Sequence, residues 1–313
     1  MSGQRIIVVG ARSARQGTGP FIAGALNKLG ANVCGIVGTR AASVLQAQQA
    51  LKTLYDIRCN TYVDLSEALA SENPDAVVIC SPFALHAEQL SLVARAGCHC
   101  LVEKPLAWPA TQDEVDSVVA MFCKRGLLLQ MVNQWPHTLS SFVELHKAIP
   151  QKITDFAMRL SPISIGPTMV PDSVPHFLGM LHALLGPGEC EEAEISFPLT
   201  APNVPPSKLT LNCRYRHGNG IARGRLLLET CEARPRPAWY QVNQLRADRE
   251  VELPHYTQYL VSGGKRVSLP DPLQQVVRGF LQDLASVAIT DVDALQLGFA
   301  NLVNIAAAWR EPD

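Results

Sequence analysis

The segment Arg5-Ile6-Ile7-Val8-Val9-Gly10-Ala11-Arg12-Ser13-Ala14-Arg15-Gln16-Gly17-Thr18-Gly19-Pro20 runs from a β-branched apolar stretch through a glycine-containing loop into the amphipathic stretch Phe21–Leu29. Its order is strand, loop, helix. Pro20 suits the first helical turn, where its missing N–H has no partner to lose, and Gly30 supplies the left-handed residue that ends the helix. The alternation continues, with strands expected at Arg5–Val9, Val33–Gly38, Ala76–Cys80, His99–Val102 and Leu127–Val132. Asp64 with Glu67, and Thr111 with Glu114, have the spacing of capping boxes and mark two helix starts. Short β-branched runs separated by helices predict βαβ units around a parallel sheet, a doubly wound α/β domain over residues 1–133.

After Asn133 the texture changes. A helical stretch, Thr138–Ala148, leads to the alternating segments Leu209–Arg216 and Ile221–Thr230, and Gly218-Asn219-Gly220 between them is a hairpin signal. Nine of the 22 prolines lie between Pro162 and Pro206, so irregular connections surround the expected Asp172–Leu185 helix, and such loops often line sites. Two helical stretches, Pro272–Ala288 and Asp293–Trp309, close the chain. Residues 134–313 therefore read as an α+β domain with a mainly antiparallel open sheet.

Composition narrows the function. The 313 residues are 47% hydrophobic and 18% charged, which excludes disordered, collagenous and coiled-coil chains. Lys and Arg number 27 against 28 Asp and Glu, so no basic field recruits nucleic acid or anionic lipid, and a small-molecule partner is expected. No apolar run reaches the ~18 residues of a membrane span, and the first residues carry no signal-peptide pattern; a soluble cytoplasmic protein is the expectation. The cysteine count, nine, is odd, and Cys34, Cys80, Cys100 and Cys213 sit in apolar or alternating runs that suit free thiols. Cys98-His99-Cys100 has no second pair at zinc-site spacing and reads as a buried strand, with no metal site.

Residues suited to binding and chemistry collect at the expected carboxyl ends of the strands. Gly10 and Gly17, with Arg12, Ser13 and Thr18, stand where backbone N–H groups meet a pyrophosphate at a helix N-terminus, although the spacing is not GxGxxG and an ordinary βα loop is the other reading. The second strand ends in Gly38-Thr39-Arg40, where an acidic residue would bind the ribose 2′-hydroxyl of NAD and an Arg accepts a 2′-phosphate. With no acid there, Thr39 and Arg40 favour NADP(H), NAD(H) remaining possible; a solvated first-turn Arg is the alternative. Ser81 and Pro82 follow the strand ending at Cys80, and His86 by itself reads as a helix-surface histidine. Glu103-Lys104-Pro105 follows another strand, and a lysine at that edge can orient a substrate hydroxyl.

Taken together, these motifs resemble the Gfo/Idh/MocA family of NAD(P)-dependent oxidoreductases. The resemblance rests on Ser81-Pro82…His86, on Ala96-Gly97-Cys98-His99 running into Glu103-Lys104-Pro105-Leu106-Ala107, and on Asp172-Ser173-Val174-Pro175-His176…Leu184-Leu185-Gly186. The tail Phe280…Asp291…Ala294…Leu297 is similar to the family's closing helices. The chain departs from the family pattern in the phosphate loop, at Phe83, at Asn133-Gln134-Trp135-Pro136 in place of an Arg-aromatic pair, and at Ile165–Pro171 in place of a Gly-rich run. If Asp172 were the N-cap, Pro175 would still lie within the first helical turn.

The resemblance implies a Rossmann domain that binds cofactor through Gly10, Arg12, Ser13, Gly17, Thr18, Thr39, Arg40, Ser81, Pro82, His86, Glu103 and Lys104. It also implies a substrate held between the two domains and a homo-oligomer, dimer or tetramer, formed through the second domain's sheet. Hydride would pass between nicotinamide and a sugar, polyol or similar molecule, with His176 as acid/base, Asp172 orienting it or holding substrate, and Lys104 binding the substrate oxygen. Residues four apart on a helix differ by about 40° in direction, so Asp172 and His176 share a face, whereas His182 points about 240° from His176 and reads as structural. Rival readings are a non-catalytic nicotinamide-binding sensor or transcriptional regulator, and a reductase of an imine or carbon–carbon double bond.

Overall fold

The computed structural model describes residues 3–12, 17–198, 204–286 and 288–310. The chain divides into two units, residues 1–132 with 273–296, and residues 133–272 with 297–313. The segment 273–296 thus returns to the first unit, which a linear division at residue 133 does not provide for.

The first unit is the parallel α/β domain expected from the alternating runs. Strands β1 (Arg5–Val9), β2 (Asn32–Val37), β3 (Asn60–Tyr62), β4 (Ala76–Ile79), β5 (His99–Val102) and β6 (Leu129–Met131) form one sheet in the order β3-β2-β1-β4-β5-β6. Every pairing in it is parallel. Successive strands step outward one way from β1 to β3 and the other way from β4 to β6, so the order switches between β1 and β4. Helices α1 (Gly19–Lys28), α2 (Ala41–Tyr55), α3 (Leu65–Glu72), α4 (His86–Arg95) and α5 (Gln112–Lys124) are the crossovers. A core of Ile6, Val8, Ile36, Val78 and Leu101 packs on Ile22 and Leu26 of α1 and on Val277 and Phe280 of α8 (Pro272–Ser286).

Both sequence-read caps form. Asp64 accepts the Glu67 N–H at 2.7 Å, and at the start of α5 Thr111 and Glu114 complete a reciprocal capping box. Cys98 donates to the Pro74 carbonyl at 3.3 Å just before β5, while His99 and the fully buried Cys100 open that strand, His99 Nδ1 accepting the Leu128 N–H at 2.8 Å.

The second unit is built on an eight-stranded sheet in the order β14-β13-β12-β11-β7-β10-β9-β8. Its strands are β7 (Asp155–Leu160), β8 (Gly188–Ser196), β9 (Lys208–His217), β10 (Gly220–Glu229), β11 (Ala238–Val242), β12 (Leu245–Glu252), β13 (Thr257–Ser262) and β14 (Lys265–Leu269). Only the β7–β10 pair is parallel. The expected hairpin joins β9 to β10, with Gly220 opposite His217.

Helix α6 (Leu139–His146) packs on β13 and β14, and α7 (Met169–Leu185) on β7 and β10. Two expectations for α7 are corrected. It begins at Met169, after a 3-10 turn at Gly166–Thr168, so Asp172 is not its N-cap, and Pro175 lies inside the helix. Burial explains the earlier start: Met169, Val170 and Pro171 are inside the unit, and Pro171, in the first turn, has no intrahelical acceptor to lose. Pro175 withholds one N–H from the Pro171 carbonyl, and packing carries the helix past it.

That packing is close. Phe177 stacks on Phe156 with ring centroids 5.6 Å apart, and a Cβ on Gly224 would lie 2.8 Å from the Phe177 ring and from the Cys213 sulfur. Gly224→Ala is therefore expected to lower stability by about 1–3 kcal/mol, the scale of overpacking. Urea unfolding measures this, and an unchanged midpoint would contradict the fit.

Candidate active site

In the first unit the candidate residues stand at the carboxyl ends of the strands, beside the switch between β1 and β4, where doubly wound sheets bind ligands. Gly10 follows β1 with φ +83°, and a Cβ there would lie 2.6 Å from the Cys80 carbonyl oxygen that follows β4. Gly19, first residue of α1, packs so closely on Gly10 and Ala11 that its own Cβ would collide with the Gly10 carbonyl. The irregular spacing now has a physical reading. Gly10 makes the tight turn and Gly19 the close helix–strand contact, with a longer loop between them. Ser13 and Arg15 of that loop lie outside the described residues.

Thr18 caps α1 without a side-chain hydrogen bond to the helix, the first turn carries no acidic residue, and Gly17 precedes it half-buried. Its N-terminal N–H groups can therefore take an anion. The end of β2 is cationic. Arg40 is the N-cap of α2, exposed, with no side-chain capping bond and no acidic residue in the following turn. Thr39 and Arg12 are exposed as well.

Beyond β4, Ser81 donates to Gln89 at 2.6 Å, and the exposed Pro82 leads into a 3-10 turn before α4. The expectation of a helix-surface histidine at 86 is corrected. His86 is fully buried, with Nδ1 2.9 Å from the Pro105 carbonyl and Nε2 2.9 Å from the Ser81 carbonyl. The ring braces the loop after β4 against the loop after β5. Burial depends on those two loops, so the local sequence carries no sign of it. Glu103 accepts the Lys104 N–H at 3.1 Å through Oε2, while its buried Oε1 has no hydrogen-bond donor among the described residues. Lys104 is half-buried beyond the end of β5, and the Lys104–Pro105 bond is cis.

In the second unit, α7 buries most of its residues but leaves Asp172, His176 and Gly179 half-exposed, a stripe at helical spacing that runs into the unburied C-terminal residues His182–Leu185. The shared face expected for Asp172 and His176 is present. Ser164 donates to Asp172 Oδ2 at 2.7 Å, fixing the carboxylate. Asn133 packs its amide on Gly179, where a Cβ would collide with it. The following turn buries Trp135 edge-on to Tyr240 at 6.2 Å between centroids, and Thr138 hydrogen-bonds the Tyr240 hydroxyl at 3.0 Å. The Arg249 guanidinium lies 5.5 Å from the Trp135 ring centre. Sequence reading missed Arg249; its signal was a cation at an odd position of β12, in register with Ala247 and Val251.

Comparison with known proteins agrees with this layout. Residues 4–133 match the model of the Gfo/Idh/MocA oxidoreductase family, described as having an NAD-binding Rossmann fold. Among curated relatives, 4-carboxy-2-hydroxymuconate-6-semialdehyde dehydrogenase of Sphingobium sp. is 54% identical over 44 residues, 14% of each chain. The scyllo-inositol 2-dehydrogenase (NADP(+)) of Bacillus subtilis is 36% identical over 88 residues, 28% of this chain and 26% of its own. These matches thus span about a quarter or less of the relatives' length. Over the whole chain the fold resembles that of a probable dehydrogenase from Thermotoga maritima, with TM-score 0.73, 19% identity and 97% of each chain covered. It also resembles UDP-N-acetylglucosamine 3-dehydrogenase from Acidithiobacillus ferrooxidans, with TM-score 0.71, 19% identity and 98% of each chain covered. Among the described residues, no helix is long and apolar enough to cross a membrane.

The buried brace has a pH consequence. Burial pushes the His86 pKa below its ordinary value and outweighs the opposing pull of the Ser81 and Pro105 carbonyls. Below about pH 6.5 the unfolded chain therefore takes up a proton that the folded chain resists, so stability falls as pH drops through that range. Unfolding free energies of wild type and His86→Gln between about pH 7.5 and 5.5 measure it, with a shallower slope expected for the variant. Equal slopes would contradict the assignment.

Proposed function

We propose that the protein is an NADP(H)-dependent oxidoreductase that moves a hydride between nicotinamide and a carbon of a hydroxylated or carbonyl small molecule, a sugar, polyol or similar compound. The observation that carries this reading is the tight packing of Gly10, Gly19 and the Cys80 backbone at the N-terminus of α1, whose first turn has neither a side-chain cap nor an acidic residue. A Cβ at either glycine would push the loop after β1 off the Cys80 backbone or α1 off Gly10, and this packing lies at the sheet's switch point, where a pyrophosphate finds both backbone donors and a favourable helix dipole. Glu103 Oε1, an acceptor with no donor among the described residues, gives the same edge a group for a ribose hydroxyl or an amide N–H.

The preference for NADP(H) rests on Arg40. An N-cap is ordinarily Ser, Thr, Asp or Asn, and a cation there opposes the positive end of the helix. Such an arrangement stabilises the protein only when an anion joins it, and a 2′-phosphate is an anion of the right kind. The NADP(+) named for the Bacillus subtilis relative is consistent with this reading.

When bound, the nicotinamide supplies the hydride donor or acceptor. The chain's own residues handle the proton and the oxygen. Lys104 donates to the substrate oxygen and stabilises the negative charge that develops on it. His176 exchanges the hydroxyl proton as the general acid/base. Asp172, held by Ser164, orients that ring or accepts a substrate hydroxyl.

Two measurements test these assignments. Arg40→Ala is expected to weaken NADPH binding by roughly 10–100-fold and NADH binding little, as loss of a charge-assisted contact to the 2′-phosphate requires. Equal wild-type affinity for the two nucleotides would remove the NADP(H) assignment. Lys104→Met and His176→Ala are each expected to lower kcat by about 10²-fold or more with NADPH affinity retained. Near-normal turnover in both, over a panel of polyols, sugars and their oxidised forms, would reject the chemistry.

A further inference from the structure

β12 alternates cleanly between two faces. Arg246, Asp248, Glu250 and Glu252 point to one of them, where Arg246 pairs with Asp248 at 2.6 Å and Arg266 with Glu250 at 2.9 Å and Glu252 at 2.6 Å. All the acids of the strand are thereby used on that face. Ala247, Arg249 and Val251 point to the other, which is apolar. Arg249 stands across from Ala238 on β11 and Leu260 on β13, both buried. A cation occupies a position at which the register calls for an apolar side chain, and such an exception needs a physical reason.

The contacts of Arg249 do not supply one. Its guanidinium donates to the Arg236 carbonyl at 3.3 Å and lies over Trp135, while its Nε is closed to solvent and makes no hydrogen bond. No carboxylate is paired with it among the described residues. The neighbouring charge is another cation, Arg236, whose Nε donates to the Cys231 carbonyl at 3.0 Å. Burial pushes the Arg249 pKa below its ordinary value; Tyr256 opposes that shift and Arg236 adds to it. Trp135 offsets part of the cost through its ring face, and the buried Nε–H of the guanidinium is left without an acceptor among the described residues.

We propose that Arg249 anchors an anionic group, a carboxylate or a phosphate, carried by the substrate. The proposal rests on the oxidoreductase reading and narrows its substrate class from hydroxylated molecules in general to acidic ones. Location within the unit agrees. The turn bearing Trp135 packs against α7, the helix of Asp172 and His176, and Asn133 at the head of that turn is seated on Gly179, three residues beyond His176. A guanidinium edge meets two oxygens of a carboxylate or phosphate in one plane, a geometry that neutral polyols do not offer.

The test is calorimetric titration of the NADPH-loaded protein with gluconate and glucuronate, with their neutral counterparts glucose and myo-inositol, and with glucose 6-phosphate. At least one anionic probe is expected to bind tighter than its neutral counterpart by tenfold or more, and Arg249→Met is expected to lose that preference by roughly 10–100-fold with NADPH affinity unchanged. The acids and the sugar phosphate are separate arms, so a preference for either identifies the anion. Arg249→Lys keeps charge and bulk but lacks the planar edge; it is expected to retain part of the preference and stands in if the Met variant does not fold. Neutral probes binding as well as the anions, no anion binding at millimolar concentration, or full anion affinity in Arg249→Met would each overturn the proposal. Failure of the oxidoreductase reading itself appears separately, as absence of NADPH binding in the preceding titration.

Discussion

The first unit depends on one steric constraint, the approach of the backbone after β1 to the backbone after β4. Gly10 lies so near the Cys80 carbonyl, and Gly19 so near Gly10, that none of these contacts admits a Cβ on the glycine. The constraint links fold to function. A parallel sheet whose order reverses at β1 and β4 opens a crevice at their carboxyl ends, and close packing of α1 at that point brings its N-terminal N–H groups to the crevice. His86 secures the same edge by bridging the carbonyls of Ser81 and Pro105, so the loops following β4 and β5 share one buried ring.

Much of this was legible from local pattern. The β-branched runs of β1, β2, β4 and β5 are buried on both faces and read as continuous apolar stretches, as central parallel strands do. The caps at Asp64 and Thr111 use contacts within four residues, which spacing alone reveals. What escaped notice depends on distant partners. His86 looks like a surface residue until the loops ending at Ser81 and Pro105 close over it. The start of α7 was displaced because Met169–Pro171 are held by burial, which outweighs the local cue of an acidic cap at Asp172. Gly10 and Gly19 matched no motif because their partnership spans an enlarged loop.

The second unit's sheet was harder to read for a different reason. One face of several strands carries charged side chains, as in Leu245–Glu252, where few apolar residues remain to mark a strand. On the structure these charges resolve into cross-strand pairs: Arg216 with Glu189 and Glu191, Arg223 with Asp155, and Arg266 with Glu250 and Glu252. Each is solvent-exposed and worth little individually. Their value to the reading is as a background of satisfied charge, against which Arg249 on the opposite face stands out.

The central claim is that the Gly10–Gly19 cradle holds the pyrophosphate of a nicotinamide dinucleotide. A crystal structure of the protein with NADPH tests it most directly. The pyrophosphate is expected over the N-terminus of α1, against the backbone of Gly10 and Gly19, with the 2′-phosphate at Arg40. A nucleotide bound elsewhere, or no binding at saturating NADPH, would contradict it.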